Sequence, residues 1–295
     1  MGNNGRIGFF RRHIRNFLHR FQPPTPFTVD LEGKGILTPI ANAQDHVWKN
    51  YQVTLPTLLN LKHPLHLIVL SDLHIGSHND DLKRLENIVV EISKREFDIL
   101  LLPGDFVNMQ IFGGGRIKPE SIAKILRPLT KRIPTFAVLG NHDSEYGLDQ
   151  VERSLTAAGV TVLRNSWAKC ATSAGDFFII GLDDESTGFP DFTEASKGLP
   201  ENAPLLVLAH DPASMLQIPD RSLLMVSGHT HGGQVRLPWF GPVINASSAP
   251  LAWSQGHTKL GSRQLIVSAG LGTSVLPFRF RCLPELNEIK LTSPT

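Results

Sequence analysis

The sequence is poor in cysteine and contains no long apolar run. Its two cysteines, Cys170 and Cys282, lie far apart among 295 residues, which excludes a disulfide framework and a thiolate metal site. This cysteine usage is typical of a protein in a reducing compartment. No run approaches the roughly 20 apolar residues that a membrane-spanning helix requires, so we expect no such helix.

A large net charge is also absent. The 29 lysines and arginines nearly balance the 27 aspartates and glutamates, which leaves a formal charge of +2. Because such a chain has no global electrostatic attraction for a polyanion, we expect no specific nucleic-acid partner.

The N-terminal residues depart from this balance, because no acidic residue precedes Asp30. Residues 6–21 place isoleucine, leucine and phenylalanine at helical spacing, with arginine and histidine between them. Such a basic amphipathic helix either lies on an anionic membrane surface or packs on its own domain, and we predict the membrane contact. The pair Arg11-Arg12 is not followed by an apolar segment, which argues against an export signal.

This composition predicts two parts of the chain. Residues 1–26 form the basic amphipathic segment, which ends in a proline-rich linker. Residues 27–295 form a single domain with its core at 65–291. We therefore expect a cytoplasmic protein that is peripheral on the inner face of the cytoplasmic membrane.

Beyond residue 64 the chain alternates apolar runs with helical periods. The apolar runs predict strands at 65–70, 97–102, 135–139, 160–163, 167–171, 177–182, 205–209, 223–227, 234–237, 265–268 and 288–291. Helical spacing of apolar residues predicts helices at 80–96, 119–130 and 148–158. Alternating strands and helices, followed by strand-rich sequence from residue 160, predict two sheets packed face to face with helices outside. The second sheet should be the more antiparallel.

Residues that bind metals or transfer protons follow five of the predicted strands. They are Asp72, His74, Asp105, Asn141, His142, His210, His229 and His231. The carboxyl ends of strands in an α/β sheet meet at one edge, so we expect these side chains to converge there. Gly104, Gly140 and Gly228 precede three of them and permit the sharp turns that aim a side chain inward.

The donor types constrain the metal. Carboxylate, imidazole and amide donors without thiolate suit manganese, iron, zinc or cobalt. Seven or eight ligands exceed the needs of one ion and suit two. Two ions require a bridging group, and the isolated carboxylate of Asp105 is suited to that position.

Together these motifs resemble those of the calcineurin-like metallophosphoesterases. The matching series covers about residues 65–234 and consists of Asp72-x-His74, Gly104-Asp105, Gly140-Asn141-His142-Asp143, His210 and Gly228-His229-x-His231. The resemblance implies a four-layer α/β/β/α sandwich of two mixed sheets. The sequence further resembles a bacterial subgroup of this family, which contains membrane-associated phosphodiesterases and UDP-diacylglucosamine hydrolases. The residues that carry this resemblance are Gly270-Leu271-Gly272-Thr273-Ser274, Pro277-Phe278-Arg279-Phe280-Arg281 and Pro284-Glu285.

The resemblance also implies a role for each of these residues. The ligands of the first ion would be Asp72, His74 and His231. Those of the second would be Asn141, His210 and His229. Asp105 would bridge the two ions, and His142 matches the family's catalytic histidine. The residues FVNMQ follow Asp105, where some branches carry a further Asp and Arg, which argues against the phosphoprotein phosphatase branch.

These features lead us to expect a dinuclear metal-dependent hydrolase of phosphodiester or pyrophosphate bonds, with manganese as the expected ion. The basic N-terminus and the apolar loops late in the chain favour a lipid-linked substrate such as UDP-diacylglucosamine. A soluble nucleotide phosphodiesterase or nuclease, and a non-catalytic metal-binding scaffold, are the alternatives. Arg236, two residues after Gln234 on a predicted strand, would either bind the substrate phosphate or form an exposed salt bridge.

Overall fold

The parts of the chain that the computed structural model describes are residues 43–58, 61–109, 115–200 and 203–294. The predicted N-terminal segment at 1–26, with its amphipathic helix at 6–21, lies outside the described residues and stays a prediction. Within the described part, none of the helices combines the length and the apolar character needed to cross a bilayer.

Strands and helices alternate through the first half of the described chain, and strands dominate its second half. The strands are β1 (Val47–Thr54), β2 (Leu65–Val69), β3 (Ile99–Leu102), β4 (Thr135–Ala137), β5 (Thr161–Val162), β6 (Ser166–Ala171), β7 (Asp176–Gly181), β8 (Leu205–Leu208), β9 (Leu223–Ser227), β10 (Arg236–Leu237), β11 (Gly241–Pro242), β12 (Gly256–Leu260), β13 (Arg263–Val267) and β14 (Glu285–Thr292). The α-helices are α1 (Asp81–Ser93), α2 (Pro119–Thr130), α3 (Asn141–Ala157) and α4 (Phe192–Ala195). Short 3₁₀ segments lie at Pro56–Leu58, Pro212–Gln217, His231–Gly233 and Leu251–Trp253.

Two six-stranded mixed sheets carry the fold. The first has the strand order β1-β14-β2-β3-β4-β5, and only its β14–β2 pair is antiparallel. The second has the order β12-β13-β9-β8-β7-β6, with parallel pairs in the middle and an antiparallel pair at each edge. The second sheet is therefore the more antiparallel of the two, as predicted, with two antiparallel pairs against one, although its central pairs are parallel.

Strands β3, β8 and β9 are buried along their whole length, because a layer covers each of their faces. In β3, Leu101 faces the layer between the sheets, whereas Leu100 and Leu102 face the helices. This alternation follows from the pleat of the strand, in which successive side chains point to opposite faces. Parallel strands that are covered on both faces have nearly continuous apolar sequences, which is why the sequence predicts them well.

Apolar layers separate the sheets from each other and from the helices. The layer between the sheets includes Val69 of β2 and Val226 of β9. On the outer face of the first sheet, α1 and α3 contribute Leu85 and Leu155. The outer face of the second sheet is covered by α4 and the 3₁₀ segment Pro212–Gln217. The four-layer sandwich is thus confirmed, and short helices form its fourth layer.

Two edge strands have no counterpart among the predicted elements. β1 (VWKNYQVT) and β12 (GHTKL) carry many polar residues, because a strand at the edge of a sheet is partly exposed to solvent. The predicted strand at 234–237 shortens to β10, which pairs only with β11, outside both large sheets. The predicted strand at 160–163 forms β5, which extends the first sheet and not the second.

Candidate metal centre

The predicted ligands come from the carboxyl ends of five strands. Asp72 and His74 follow β2, Asp105 follows β3, and Asn141 follows β4, together with His142, the predicted catalytic residue. His210 follows β8, and His229 and His231 follow β9. The loops after β2 and β3 run side by side, because Asp72 N–H donates to Gly104 O at 3.1 Å and His74 N–H donates to Asp105 O at 3.0 Å. Backbone pairing beyond the strand ends thus carries these side chains to one edge of the sheet.

Asn141 and His142 lie on the first turn of α3, whereas the predicted helix begins only at residue 148. The sequence hides this turn because its residues, NHDSEYG, are polar, and because Gly147 interrupts the helical backbone with a φ angle of 146°. The helix start delivers His142 directly to the cluster. Its backbone N–H donates to Oδ1 of Asp105 at 2.9 Å.

Five of the seven predicted metal ligands have left-handed backbone conformations. Their φ angles lie between 42° and 69°, and they are Asp72, His74, Asp105, His229 and His231. Such angles are uncommon outside glycine, and the surrounding structure must hold each of them at a cost of order 1–3 kcal/mol. Strain of this kind concentrates at functional sites, and five of the eleven non-glycine residues with positive φ in the described chain are these predicted ligands.

The first cluster of donors consists of Asp72, His74 and His231, all of which are buried. The Nε2 atoms of the two histidines lie 3.0 Å apart, and Nε2 of His231 lies 3.8 Å from Oδ1 of Asp72. The other carboxylate oxygen of Asp72 accepts a hydrogen bond from the hydroxyl of Ser71. Three donors therefore meet where the sequence predicts the first ion.

The second cluster consists of Asp105, His210 and His229. Nε2 of His210 lies 3.0 Å from Nδ1 of His229 and 3.2 Å from Oδ2 of Asp105. The same oxygen of Asp105 lies 3.4 Å from Nε2 of His74, in the first cluster. Asp105 therefore joins the two clusters, which is the position that a bridging ligand needs.

Three observations fit a pair of divalent cations. Imidazole nitrogens that bind one ion at about 2.0–2.1 Å lie about 3 Å apart, and both histidine pairs have this separation. The carboxamide oxygen of Asn141 is buried and has no hydrogen-bond partner among the described residues. The donors are nitrogen and oxygen atoms only, which suits manganese, iron, zinc or cobalt. The clusters offer ligands for two ions and do not discriminate among these metals.

Carbonyl groups set the tautomer of two of the histidines. Nδ1 of His210 lies 2.8 Å from Pro103 O, and Nε2 of His229 lies 3.1 Å from Ala246 O. Because a carbonyl only accepts, these nitrogens carry the protons, and the other nitrogen of each ring keeps its lone pair for a metal. Oδ2 of Asp211, 3.5 Å from the same Nε2 of His229, adds a carboxylate to this support.

Burial and neighbouring charges set the protonation of the clusters. Burial lowers the pKa of His74 and His231, and the Arg279 guanidinium lowers the pKa of both further, which favours the neutral form that binds metals. Burial alone would raise the pKa of Asp105, but the positive charge of the neighbouring histidines in their protonated form, His210 first among them, holds that pKa well below its usual range. Although burial lowers the pKa of His210, its pairing with Asp105 raises that pKa well above the usual value, so a metal ion must displace this proton to bind His210. Asp105 is therefore an anion at neutral pH, as a bridging ligand must be.

Asp143 supports Asp105, the predicted bridging residue, and the sequence does not predict this role of Asp143. Its buried carboxylate accepts four backbone hydrogen bonds, at 2.8, 2.9, 3.3 and 3.0 Å, from the N–H groups of Asp105, Phe106, Val107 and Gly140. These bonds tie the loop after β3 to the start of α3. Burial and the adjacent Asp105 carboxylate raise the pKa of Asp143 to about 7.

Asp143→Asn should weaken metal binding without removing a ligand. The amide has one acceptor oxygen where the carboxylate has two, and each buried N–H left unpaired costs about 1–3 kcal/mol. We expect the dissociation constant for Mn²⁺ to rise about 10–100-fold, the usual effect of losing an outer support, and Tm to fall. Calorimetric titration and thermal unfolding measure both. Asp176→Asn, which alters an exposed pair with Lys169, is the control; wild-type metal affinity in Asp143→Asn would contradict the assigned role.

A buried guanidinium supports the first cluster from another side. Arg279 donates to the backbone carbonyl oxygens of Ala269, Gly270, Gly272 and His231. Its Nη2 also lies 3.2 Å from Nδ1 of His231, but the two hydrogens of that nitrogen have closer partners in Ala269 O and Gly272 O, at 2.7 and 2.6 Å. The contact therefore positions the imidazole without fixing its tautomer. In the sequence, Arg279 is recognisable only as part of the subgroup motif, and its supporting role is not predicted.

Arg236, the predicted substrate ligand, is half-buried beside the 3₁₀ segment His231–Gly233. Its Nη1 donates to Gly232 O at 3.1 Å and to Oε1 of Gln255 at 3.2 Å. No carboxylate of the described residues forms an ion pair with it, so the predicted alternative of a salt bridge has no partner there. A contact between Arg236 and a substrate phosphate stays a prediction.

The chain is similar to proteins of a known family. A family model described as calcineurin-like phosphoesterase matches residues 65–233. A phosphodiesterase of Escherichia coli, YaeI, is 32% identical over 232 residues, which cover 77% of this chain and 82% of the relative. An uncharacterized metallophosphoesterase of Bacillus subtilis, YkuE, is 30% identical over 231 residues, which cover 77% of this chain and 79% of the relative. The crystal structure of a 5′-nucleotidase precursor from Thermus thermophilus aligns with a TM-score of 0.45 and 15% identity, over 70% of this chain and 49% of that one.

Proposed function

The chain belongs to the calcineurin-like phosphoesterase family, and we propose that it hydrolyses phosphodiester or pyrophosphate bonds in a lipid-linked or membrane-proximal substrate such as UDP-diacylglucosamine. The match over residues 65–233 and the phosphodiesterase relative establish the family and the class of enzyme, a metallophosphoesterase. The lipid-linked substrate is supported by the motif at residues 270–285 and by the predicted membrane helix at 6–21.

One observation carries the proposal: a single carboxylate oxygen, Oδ2 of Asp105, lies within 3.4 Å of a nitrogen in each donor cluster. A one-metal site would not need a carboxylate at this junction. Enzymes that displace a group from phosphorus commonly hold two ions, because the pair stabilises both the attacking and the leaving oxygen. The junction therefore favours phosphoester or phosphoanhydride hydrolysis over other uses of a histidine cluster.

The proposed ligands of the first ion are Asp72, His74 and His231. The proposed ligands of the second ion are Asn141, His210 and His229. The proposed bridging ligand is Asp105, with manganese as the proposed metal. Bound there, two divalent cations would act as Lewis acids that offset the charge of the phosphate and lower the pKa of a water molecule. The chain itself holds the donors in place through the carbonyl groups and the carboxylate of Asp143 that contact them, so little reorganisation accompanies the reaction.

His142 is the proposed proton donor to the departing oxygen. Its ring lies edge-on to His74, with ring centroids 4.6 Å apart, and its Nε2 lies 3.3 Å from the hydroxyl of Ser274. Its backbone N–H holds Asp105, so the residue is fixed at the junction of the clusters. A histidine in this position can give a proton to a leaving alkoxide or phosphate, which would otherwise leave as a poorly stabilised anion.

The proposed place of action is the cytoplasmic face of the cytoplasmic membrane. The basic segment at 6–21 would hold the protein on anionic lipid. Cys170 and Cys282, both free and buried, agree with a reducing compartment. Neither observation names the lipid.

Hydrolysis assays with the full-length protein in Mn²⁺ test the proposed substrate class. UDP-diacylglucosamine in mixed micelles should be hydrolysed with a kcat/KM at least about tenfold above that of a soluble nucleotide diester, because binding energy from the lipid part lowers the barrier. Chelation should stop the reaction, and Mn²⁺ should restore it. Hydrolysis of cyclic nucleotides alone would favour the soluble phosphodiesterase, and no hydrolysis with any divalent ion would favour the scaffold.

A further inference from the structure

Exposed apolar side chains are concentrated in one part of the described chain. Eleven of its fifteen exposed large hydrophobic residues lie between Leu237 and Leu283. Ten of these eleven belong to two segments, residues 237–244 and 275–283, which we call the apolar rim. Because soluble proteins rarely leave a large apolar patch in water, a concentration of this kind marks an interaction surface.

The rim contains an aromatic ribbon tip. Leu237 of β10 pairs with Gly241 of β11, so that Pro238, Trp239 and Phe240 form the connecting loop. The side chains at the tip are almost fully in water, with exposures of 99% for Trp239 and 83% for Phe240. Aromatic rings gain most from contact with an apolar or interfacial environment, and nothing in the described fold provides it for these two.

Hydrogen bonds join the second rim segment to the residues just before the first and connect both to the metal centre. Arg236 N–H donates to Phe280 O at 3.0 Å, and Phe280 N–H donates to Gln234 O at 2.9 Å. Oε1 of Gln234 accepts from Ser274 N–H at 2.8 Å, and the hydroxyl of Ser274 contacts His142. The rim therefore borders the metal centre and is held in a fixed relation to the proposed proton donor.

The rim reaches the metal centre at two further points. Ala246, two residues beyond the first rim segment, accepts the hydrogen bond that sets the tautomer of His229. Arg279, inside the second segment, supports His231. A binding partner that contacts the rim thus lies at the edge of both donor clusters.

The charged residues in and around the rim indicate what kind of partner binds there. Residues 221–284 contain six lysines and arginines and no aspartate or glutamate. Of these, Arg281 is exposed within the rim and Arg236 lies at its start. The two rim segments contain aromatic residues and arginine but no acidic residue, which is complementary to an anionic bilayer, where aromatic side chains enter the interface and arginine meets lipid phosphates. A second copy or a protein partner on the rim would instead cover the approach to the metal centre.

We propose that the apolar rim inserts into the surface of an anionic bilayer, with Trp239 and Phe240 at the boundary between headgroups and acyl chains. This docking would present the metal centre to phosphate esters carried by the lipids of the same surface. This proposal rests on the proposed function, because docking to a bilayer serves catalysis only if the substrate is carried by a lipid. Its test needs no substrate, so the two proposals fail separately.

Fluorescence quenching in full-length protein tests the docking at a named residue. Vesicles of phosphatidylcholine and phosphatidylglycerol with brominated acyl chains should quench Trp239, because a bromine atom quenches only at close range. Trp239→Phe keeps an apolar ring at the tip and should still bind, while its quenching falls to the level seen with unbrominated lipid. The other three tryptophans serve as an internal reference in both proteins.

Binding measurements with matched variants test the energetics. Trp239→Ser combined with Phe240→Ser should raise the dissociation constant for the anionic vesicles at least about tenfold, since two aromatic side chains lose their burial. Val90→Ser combined with Leu216→Ser removes exposed apolar residues outside the rim and should bind like the wild type. Both double variants should hydrolyse a soluble chromogenic diester at the wild-type rate, which separates lost docking from lost chemistry.

The contribution of the N-terminal segment is separated in the same experiment. Replacing Arg11, Arg12 and Arg15 by glutamine in the full chain should lower the bound fraction but leave Trp239 quenched in the protein that binds. Unquenched Trp239 in vesicle-bound wild-type protein would overturn the docking, as would unchanged vesicle affinity in the tip double variant. Self-association through the rim, detected by light scattering without quenching, would assign the surface to a second copy and would also overturn it.

Discussion

Asp105→Asn should abolish turnover, lowering kcat by at least about 10³-fold, and should release metal from the purified protein. Oδ2 of Asp105 lies 3.2 Å from Nε2 of His210 and 3.4 Å from Nε2 of His74, so one negative charge serves both clusters. The amide preserves the shape and can still accept the N–H of His142. It lacks the charge that two neighbouring cations need between them.

The experiment has two readouts, the metal content per chain by elemental analysis and the rate on a chromogenic diester in Mn²⁺. Asp176→Asn is the matched control, because it changes the same residue type in an exposed pair with Lys169 on the surface of the second sheet. The control should match the wild type in both readouts. If Asp105→Asn also matched it, Asp105 would not be the bridging ligand of a dinuclear centre on which turnover depends.

His142→Ala should leave the metal content near that of the wild type and lower kcat by about 10²–10⁴, the usual scale for an acid–base group. The backbone N–H that holds Asp105 is unaffected by the substitution, so the bridging position survives. What is lost is the imidazole between the ring of His74 and the hydroxyl of Ser274. Elemental analysis and steady-state kinetics measure the two effects independently.

The leaving group provides a sharper test of the proton transfer. A nitrophenolate departs readily as an anion, whereas an alkoxide needs a proton, so His142→Ala should impair the alkyl ester much more than the nitrophenyl ester. Ser274→Ala, which removes only the hydroxyl near Nε2, should have a smaller effect on both substrates. Loss of metal in His142→Ala would instead make His142 a ligand, which its place in a cluster with His74 and Asp105 also permits.

The sequence predicts the parallel core of the fold well, because physical demands there act locally. Strands such as β3 and β8 are covered on both faces and must be apolar throughout, and the donors follow them within a few residues. β1 and β12 escape prediction because an exposed edge imposes no apolar pattern. The start of α3 escapes it because the polar turn from Asn141 to Gly147 gives no helical period.

The candidate site shows the same division. Asp72, His74 and Asp105 are recognisable because each donor type stands directly behind an apolar run. Asp143 is not, because its importance lies in four backbone N–H groups from two loops that meet only in the folded chain. Arg279 is similar, since its carbonyl partners lie in the loop that contains Ala269 and at His231, 48 residues earlier in the chain. Supporting contacts of this kind form only in the tertiary structure and leave no local pattern in the sequence.

The left-handed backbone of the predicted ligands limits how the metal preference of this enzyme can be re-engineered. Aspartate, asparagine and histidine occupy that conformation more readily than other side chains, whereas glutamate or a β-branched residue is strained in it. Cysteine substitutions intended to recruit a softer metal at position 72, 74, 105, 229 or 231 would therefore meet a conformational penalty before any coordination is gained. Variants that alter the outer supports and keep the five backbone angles are the more promising route to a changed metal specificity.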